Sequence, residues 1–182
     1  MERVDKTIEV DVPVRVAYDQ WTQFEEFPRF MEGVESVTQA TDETVHWVAE
    51  VAGKRKEWDA RITEQQPDRV IAWMGFGDAD NMGRVSFEPV DGDRTRVGVA
   101  IDYEPDGAVE KVGDALGVVG RRVERDLRRF KEFIESRGRQ TGAWRGEIHE
   151  GERRDAGAGT DLGAPGSQRP TGTEGPMNPY GA

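Results

Sequence analysis

From Val109 to Ile134 the apolar residues Val109, Val112, Leu116, Val119, Val123, Leu127, Phe130 and Ile134 step by three or four, while Arg and Glu of "RRVERDLRRFKEF" take the remaining faces. That spacing predicts one amphipathic helix from Asp106 to a stop at Gly138. Rising about 1.5 Å per residue, it is long enough to lie across a whole sheet, and it needs a surface that wide to bury its stripe. Gly113, Gly117 and Gly120 interrupt its first half. Each disfavours the helix by up to about 1 kcal/mol relative to Ala. Either the helix packs very closely on its neighbour there, or the missing side chains leave room for a ligand.

The sheet is legible upstream. In "RVDKTIEVDVP" Val4, Ile8, Val10 and Val12 share one parity and the charged residues the other, the period of a half-buried strand. Further on, a two-residue turn at Ala52-Gly53 sets Trp47 opposite Trp58, Val45 opposite Ala60 and Val51 opposite Lys54. The same placement pairs Glu50 with Arg55 and His46 with Asp59 on the other face. A three-residue loop Asp91-Gly92-Asp93 with a bulge sets Phe87 against Val97 and Val85 against Val99. A four-residue turn at Gln65 to Asp68 is predicted to set Ile62 against Ile71 and Ala60 against Trp73. The register gathers Trp47, Trp58, Trp73, Phe87 and Tyr103 on one face and sends nearly every charged strand residue to the other.

Between the first strand and this run lies "AYDQWTQFEEFPRFMEGV", dense in rings. Val16, Ala17, Trp21 and Phe24 have helical spacing, as do Phe27 and Met31, but Pro28 cannot sit inside a long helix. Two short helices are predicted, broken near Gln23 to Glu26, with Gly33 ending the second. Trp21 and Phe24 are assigned mostly to the core.

Composition narrows the chemistry. With 36 acidic against 25 basic residues and a net charge of -11, the chain is a poor partner for nucleic acid or an anionic membrane. There is no cysteine and there are two histidines, so thiolate chemistry and cysteine or histidine zinc sites are not expected. "DADNMG" at 78–83 opens like a calcium loop, but Met82 and Pro89 stand where oxygen ligands are required. No metal and no cofactor is called for. No G-x-S-x-G elbow is present, His46 with Asp59 reads as a surface pair, and Arg61 faces outward. "MERVDKTIEV" lacks the apolar run of a signal peptide and no stretch is long enough to span a bilayer, so a soluble cytoplasmic protein is expected.

The composition changes at Gly138. From there to Ala182 stand 11 of the 22 glycines and 4 of the 9 prolines. So little buriable surface does not offset the entropy of ordering, which predicts a domain over residues 1–137 and a disordered tail over 138–182. "TGAWRGEI" breaks the tail. Its Trp144 and Ile148 are either incidental hydrophobes or a segment that docks on the domain or on a protein partner.

The order strand, two short helices, six strands, long helix resembles the START-like, helix-grip superfamily, in its polyketide cyclase/dehydrase and coenzyme Q-binding group. The resemblance is carried by "VDVPVRVAYDQWTQFEEFPRFMEGVESV", by "RVSFEPV" with "TRVGVAIDYEP", and by "GVVGRRVERDLRRFKEFIE", over about residues 3 to 137. "RGRQTGAWRGEI" resembles an extension found on some bacterial members. What the resemblance implies is an α+β fold, β-α-α-β6-α, with a curved antiparallel sheet wrapped around the long C-terminal helix and a cavity between them. Trp47, Trp58, Trp73, Phe87 and Tyr103 would line that cavity with Val112, Leu116, Val119 and the bare Gly117. The expected function is binding of an apolar small molecule such as a lipid, isoprenoid or polyketide. The alternatives are a cyclase or dehydratase, for which Tyr103 is the candidate acid though a poor lone base, and a protein-binding adaptor.

Overall fold

The computed structural model describes residues 1–51, 53–77, 81–104 and 115–154; for Ala115 and Leu116 it describes the backbone alone. Strand β1 (Glu2–Val10) leads through Pro13 into helix α1 (Val14–Trp21) and a 3-10 helix (Phe24–Arg29) that contains Pro28. Six strands follow: β2 (Val34–Gln39), β3 (Thr44–Val51), β4 (Lys54–Gln66), β5 (Val70–Gly77), β6 (Asn81–Asp91) and β7 (Arg94–Tyr103). Helix α2 (Ala115–Arg137) comes next, then two short strands, β8 (Glu147–His149) and β9 (Glu152–Arg154). This is the expected helix-grip α+β architecture.

The sheet is antiparallel in the order β1-β7-β6-β5-β4-β3-β2. Its inward rows meet α1, the 3-10 helix and α2 in one apolar core. Helix α2 turns Val123, Leu127, Phe130 and Ile134 inward and ends where expected. Gly138 is in the left-handed region at φ 65°, and its N–H donates to the Ile134 carbonyl at 2.8 Å. The expected start of that helix, with Val109, Val112 and Gly113, lies outside the described residues.

The β3–β4 ladder has the predicted register at every pair, from Val45 opposite Ala60 to Val51 opposite Lys54. Phe87 faces Val97 and Val85 faces Val99, also as predicted, but the turn differs. The ladder shifts between Pro89 and Asp91, and Asp91 pairs with Arg94, so the chain reverses over Gly92 and Asp93 alone. The Asp91 carboxylate holds this tighter turn by accepting from the Asp93 N–H and the Arg94 guanidinium.

The β4–β5 prediction fails by two residues. Ile62 faces Trp73 rather than Ile71, and Ala60 faces Gly75 rather than Trp73. Thr63 bulges out of the ladder, and the loop is Pro67-Asp68-Arg69 with Asp68 at φ 62°. The bulge turns both Ile62 and Gln65 inward, which a regular strand would not do.

The boundary expected at residue 137 is also corrected for the stretch up to Arg154. Strand β4 outruns β3, whose pairing stops at Arg61, and β8 covers the remainder with Glu64 opposite His149 and Gln65 opposite Ile148. The Gly151 N–H takes the carbonyl of the bulged Thr63 at 2.9 Å. Between α2 and β8, the Thr141 and Trp144 N–H groups donate to Gln20 Oε1 and Thr22 Oγ1 at 2.9 and 3.0 Å. Arg145 bridges the buried Asp19 to Asp68. Of the two readings of Trp144 and Ile148, docking on the domain is the one observed.

Candidate functional site

Among the described residues, two apolar cavities lie in the core. The sheet-side cavity, about 30 Å³, is enclosed by Trp21, Phe24 and Phe27 at one end and by Val45, Trp47, Ala60, Ile62, Ile71, Trp73 and Val85 of the sheet. The helix-side cavity, about 90 Å³, lies under α2 between Val123, Asp126 and Leu127, Met31, the strand residues Val99 and Ile101, and the same Trp21 and Trp73. Since roughly 10–15 Å³ suffices for one water, each has room for at least one, and both are small beside a drug-sized pocket.

The strand rings expected to line a cavity divide into four groups. Trp47 and Trp73 do line the voids. Trp58 stacks on Trp47 with centroids 5.7 Å apart and planes 9° from parallel, so it backs the wall rather than forming it. Phe87 belongs to the packed core, edge-on to Tyr18 and Trp21 at 5.4 and 6.5 Å.

Tyr103 stands apart from both voids. At the end of β7, opposite Glu2 and Asn81, its hydroxyl donates to Glu2 Oε2 at 3.1 Å. Loss of hydration and the Glu2 carboxylate push the phenol up to about 12. That makes it a weaker acid at neutral pH than an ordinary tyrosine. Gly117 is half-buried in the first turns of α2 and is not among the residues lining either void. Val112 and the Leu116 side chain lie outside the described residues. Arg61 faces out, donating to the Gly151 carbonyl, and His46 Nδ1 meets Asp59 2.8 Å away on the wet face.

Two functional positions escaped the sequence reading. Trp21 is core and cavity wall at once: four rings pack on it and it still borders both voids. Asp126 is the other. It sits three residues after Val123 and four before Phe130, on the margin of the buried stripe, and that spacing was the available signal.

Asp126 Oδ1 accepts the Glu32 N–H at 2.9 Å. Burial pushes its carboxyl up, against the Arg122 and Arg129 guanidiniums, which pull it down. Glu32 is tied further to α2: its carboxylate meets Arg125 and Arg129, and Arg122 donates to its carbonyl and to that of Glu50. The turn carrying Met31 is thereby fastened over the helix-side cavity. Chemically, the site offers apolar walls for a hydrophobic guest and one carboxyl at the margin.

A helix-grip sheet closed over an apolar interior defines the START/SRPBCC class of proteins. Residues 10–132 match the sequence profile of the family described as "Polyketide cyclase / dehydrase and lipid transport", and the chain belongs to that family. It is 53% identical over 149 residues, 81% of this chain and 99% of the relative, to an "Uncharacterized 17.2 kDa protein in melC2-rnhH intergenic region" of Streptomyces lincolnensis. Among solved structures it resembles the Zhui aromatase/cyclase of Streptomyces sp. R1128, at 17% identity and TM-score 0.58, covering 75% of this chain and 93% of that one. It also resembles a START superfamily protein of Mycobacterium smegmatis, at 18% identity and TM-score 0.56, covering 74% and 95%. At these identities the two likenesses speak to fold alone. Among the described residues, no helix is long and apolar enough to cross a membrane.

Proposed function

We propose that the protein binds an apolar small molecule in the interior between sheet and α2, holding or presenting it in the cytoplasm without altering it. The observation that supports the reading is the pair of voids walled by Trp21, Trp73 and aliphatic side chains, in a family described by lipid transport as well as by cyclase chemistry. An unfilled apolar void forfeits dispersion contacts that a tightly packed core would keep, and a guest restores them. Native mass spectrometry of the purified protein, followed by solvent extraction, tests this. A copurifying hydrophobic molecule, or quenching of tryptophan emission by an added one, is expected; a protein that takes up none of a broad set of apolar compounds overturns it.

One observation favours a second reading, a cyclase or dehydratase. Asp126 places a carboxyl on the wall of the helix-side cavity, and burial makes it hold its proton more tightly than an exposed aspartate does. In that reading Asp126 takes the role considered for Tyr103. Turnover of a polyketide-type substrate that survives Tyr103→Phe and is lost in Asp126→Asn would establish it.

A further inference from the structure

Trp21 and Trp73 are common to both linings, which puts these two residues between the sheet-side and helix-side cavities. The two rings are held very differently. Trp21 is 5% exposed and meets Phe27, Phe30, Phe87 and Phe130 at centroid distances of 5.3 to 6.5 Å. It cannot swing without displacing four close-packed rings. Trp73 is half-buried, and its Nε1–H donates to Asn81 Oδ1 at 3.0 Å. Its ring lies on Gly83, the residue opposite it in β6, where a Cβ would come within 2.1 Å of Cζ2. The bare backbone of Gly83 is the bed on which the indole rests.

We propose that Trp73 is a length gauge, the residue that decides how long an apolar ligand the protein accepts. This rests on the ligand-binding reading above and names the ligand class: compact apolar groups rather than extended acyl or polyisoprenoid chains. With Trp73 seated on Gly83, a guest reaches only the helix-side space of about 90 Å³. That is less than the roughly 150 Å³ of an apolar cavity known to take up benzene, so nothing longer than a short chain fits it. The sheet-side space of about 30 Å³ holds no guest by itself and becomes usable only when the wall between the two is gone. Trp21 stays in place, so Trp73 alone sets the limit.

The test is calorimetric titration of the full chain with linear alcohols from butanol to decanol. Each methylene that enters an apolar space tightens binding roughly fourfold. In the parent protein that gain should stop after the shorter members. In Trp73→Ala it should continue, with decanol bound at least about tenfold more tightly than by the parent. Trp73→Phe, which keeps a ring and guards against an unfolded Ala variant, should fall between them. Gly83→Ala lifts the indole off its bed into the interior and should shorten the limit while leaving Trp73 itself intact. The same chain-length profile in the parent, Trp73→Phe and Gly83→Ala rejects the gauge and leaves ligand binding standing. No binding of any alcohol to any folded variant rejects ligand binding itself.

Discussion

Ile148 sits directly opposite Gln65 in the ladder between β8 and β4, and both side chains are shut off from solvent. A residue eleven positions past the end of the long helix is therefore part of the core. Ile148→Ala should cost about 2–4 kcal/mol. For a domain of this size that lowers Tm by roughly 5–15 °C. Truncation after Arg137 should cost more, since it also removes the groups that bond Gln20 and Thr22 and the Arg145 guanidinium that holds the buried Asp19. Calorimetry checks both, and an unchanged Tm in either would show that the segment contributes nothing to stability.

Arg145 neutralises Asp19, whose side chain is 1% exposed, while its other nitrogen holds Asp68 at 2.7 Å. Removing the partner of a buried charge is far worse than removing both. Arg145→Met should destabilise by about 1–3 kcal/mol, less than for a fully enclosed pair because Arg145 is 27% exposed and Arg15 still stands 3.8 Å from Asp19. Adding Asp19→Asn to Arg145→Met should recover part of the loss in urea denaturation. A double variant weaker than the sum of the two single changes would contradict this account.

The raised carboxyl of Asp126 predicts a pH signature. The folded state holds that proton more tightly than the unfolded chain, whose value is near 3.8. Its contribution to stability is then complete below about pH 3.8 and is lost as pH rises through the raised value. Asp126→Asn keeps an oxygen for the Glu32 N–H but cannot titrate. The stability of the Asn variant relative to the parent should rise from about pH 4 toward neutrality, measured by urea unfolding at a series of pH values. A difference that stays constant with pH would count against it.

Trp58 stacks on Trp47 from outside the cavity lining. A half-buried ring of this kind is worth less than a core tryptophan, and Trp58→Ala should cost about 1–2 kcal/mol, including roughly 0.5–1.5 kcal/mol for the lost stacking. Trp47→Ala opens the sheet-side void and should cost more. Equal losses for the two, in equilibrium unfolding, would mean that the pair shares one environment.

How far this fold could be read in advance depended on how many faces constrained each element. The β3–β4 pairing was legible because one register satisfied rings on one side and Glu50 with Arg55 and His46 with Asp59 on the other. Between β4 and β5 the bulge at Thr63 moved the register without any side-chain signal, and the carbonyl of the bulged residue accepts from the Gly151 backbone N–H, a contact that leaves no mark in the sequence pattern. The segment from Gln140 to Arg154 was misread because its attachment runs through amides, hydroxyls and a guanidinium, which leave no apolar period. At the site, Trp47 and Trp73 were readable from parity. Trp21 was half-read as core, because an indole has area enough to pack on one side and wall a void on the other. Asp126 was hidden at the margin of the stripe, where spacing alone does not tell wet from buried.

Strand β4 has 13 residues and β3 has eight, and β8 makes up part of the difference. Were β8 lost by cleavage near Gln140, the end of β4 would present an unpaired row of N–H and C=O groups beside newly uncovered apolar surface. Such an edge recruits other chains. The product of such a cut would be self-associating, and turbidity or light scattering would register the loss of three residues of strand before any spectroscopic sign of unfolding.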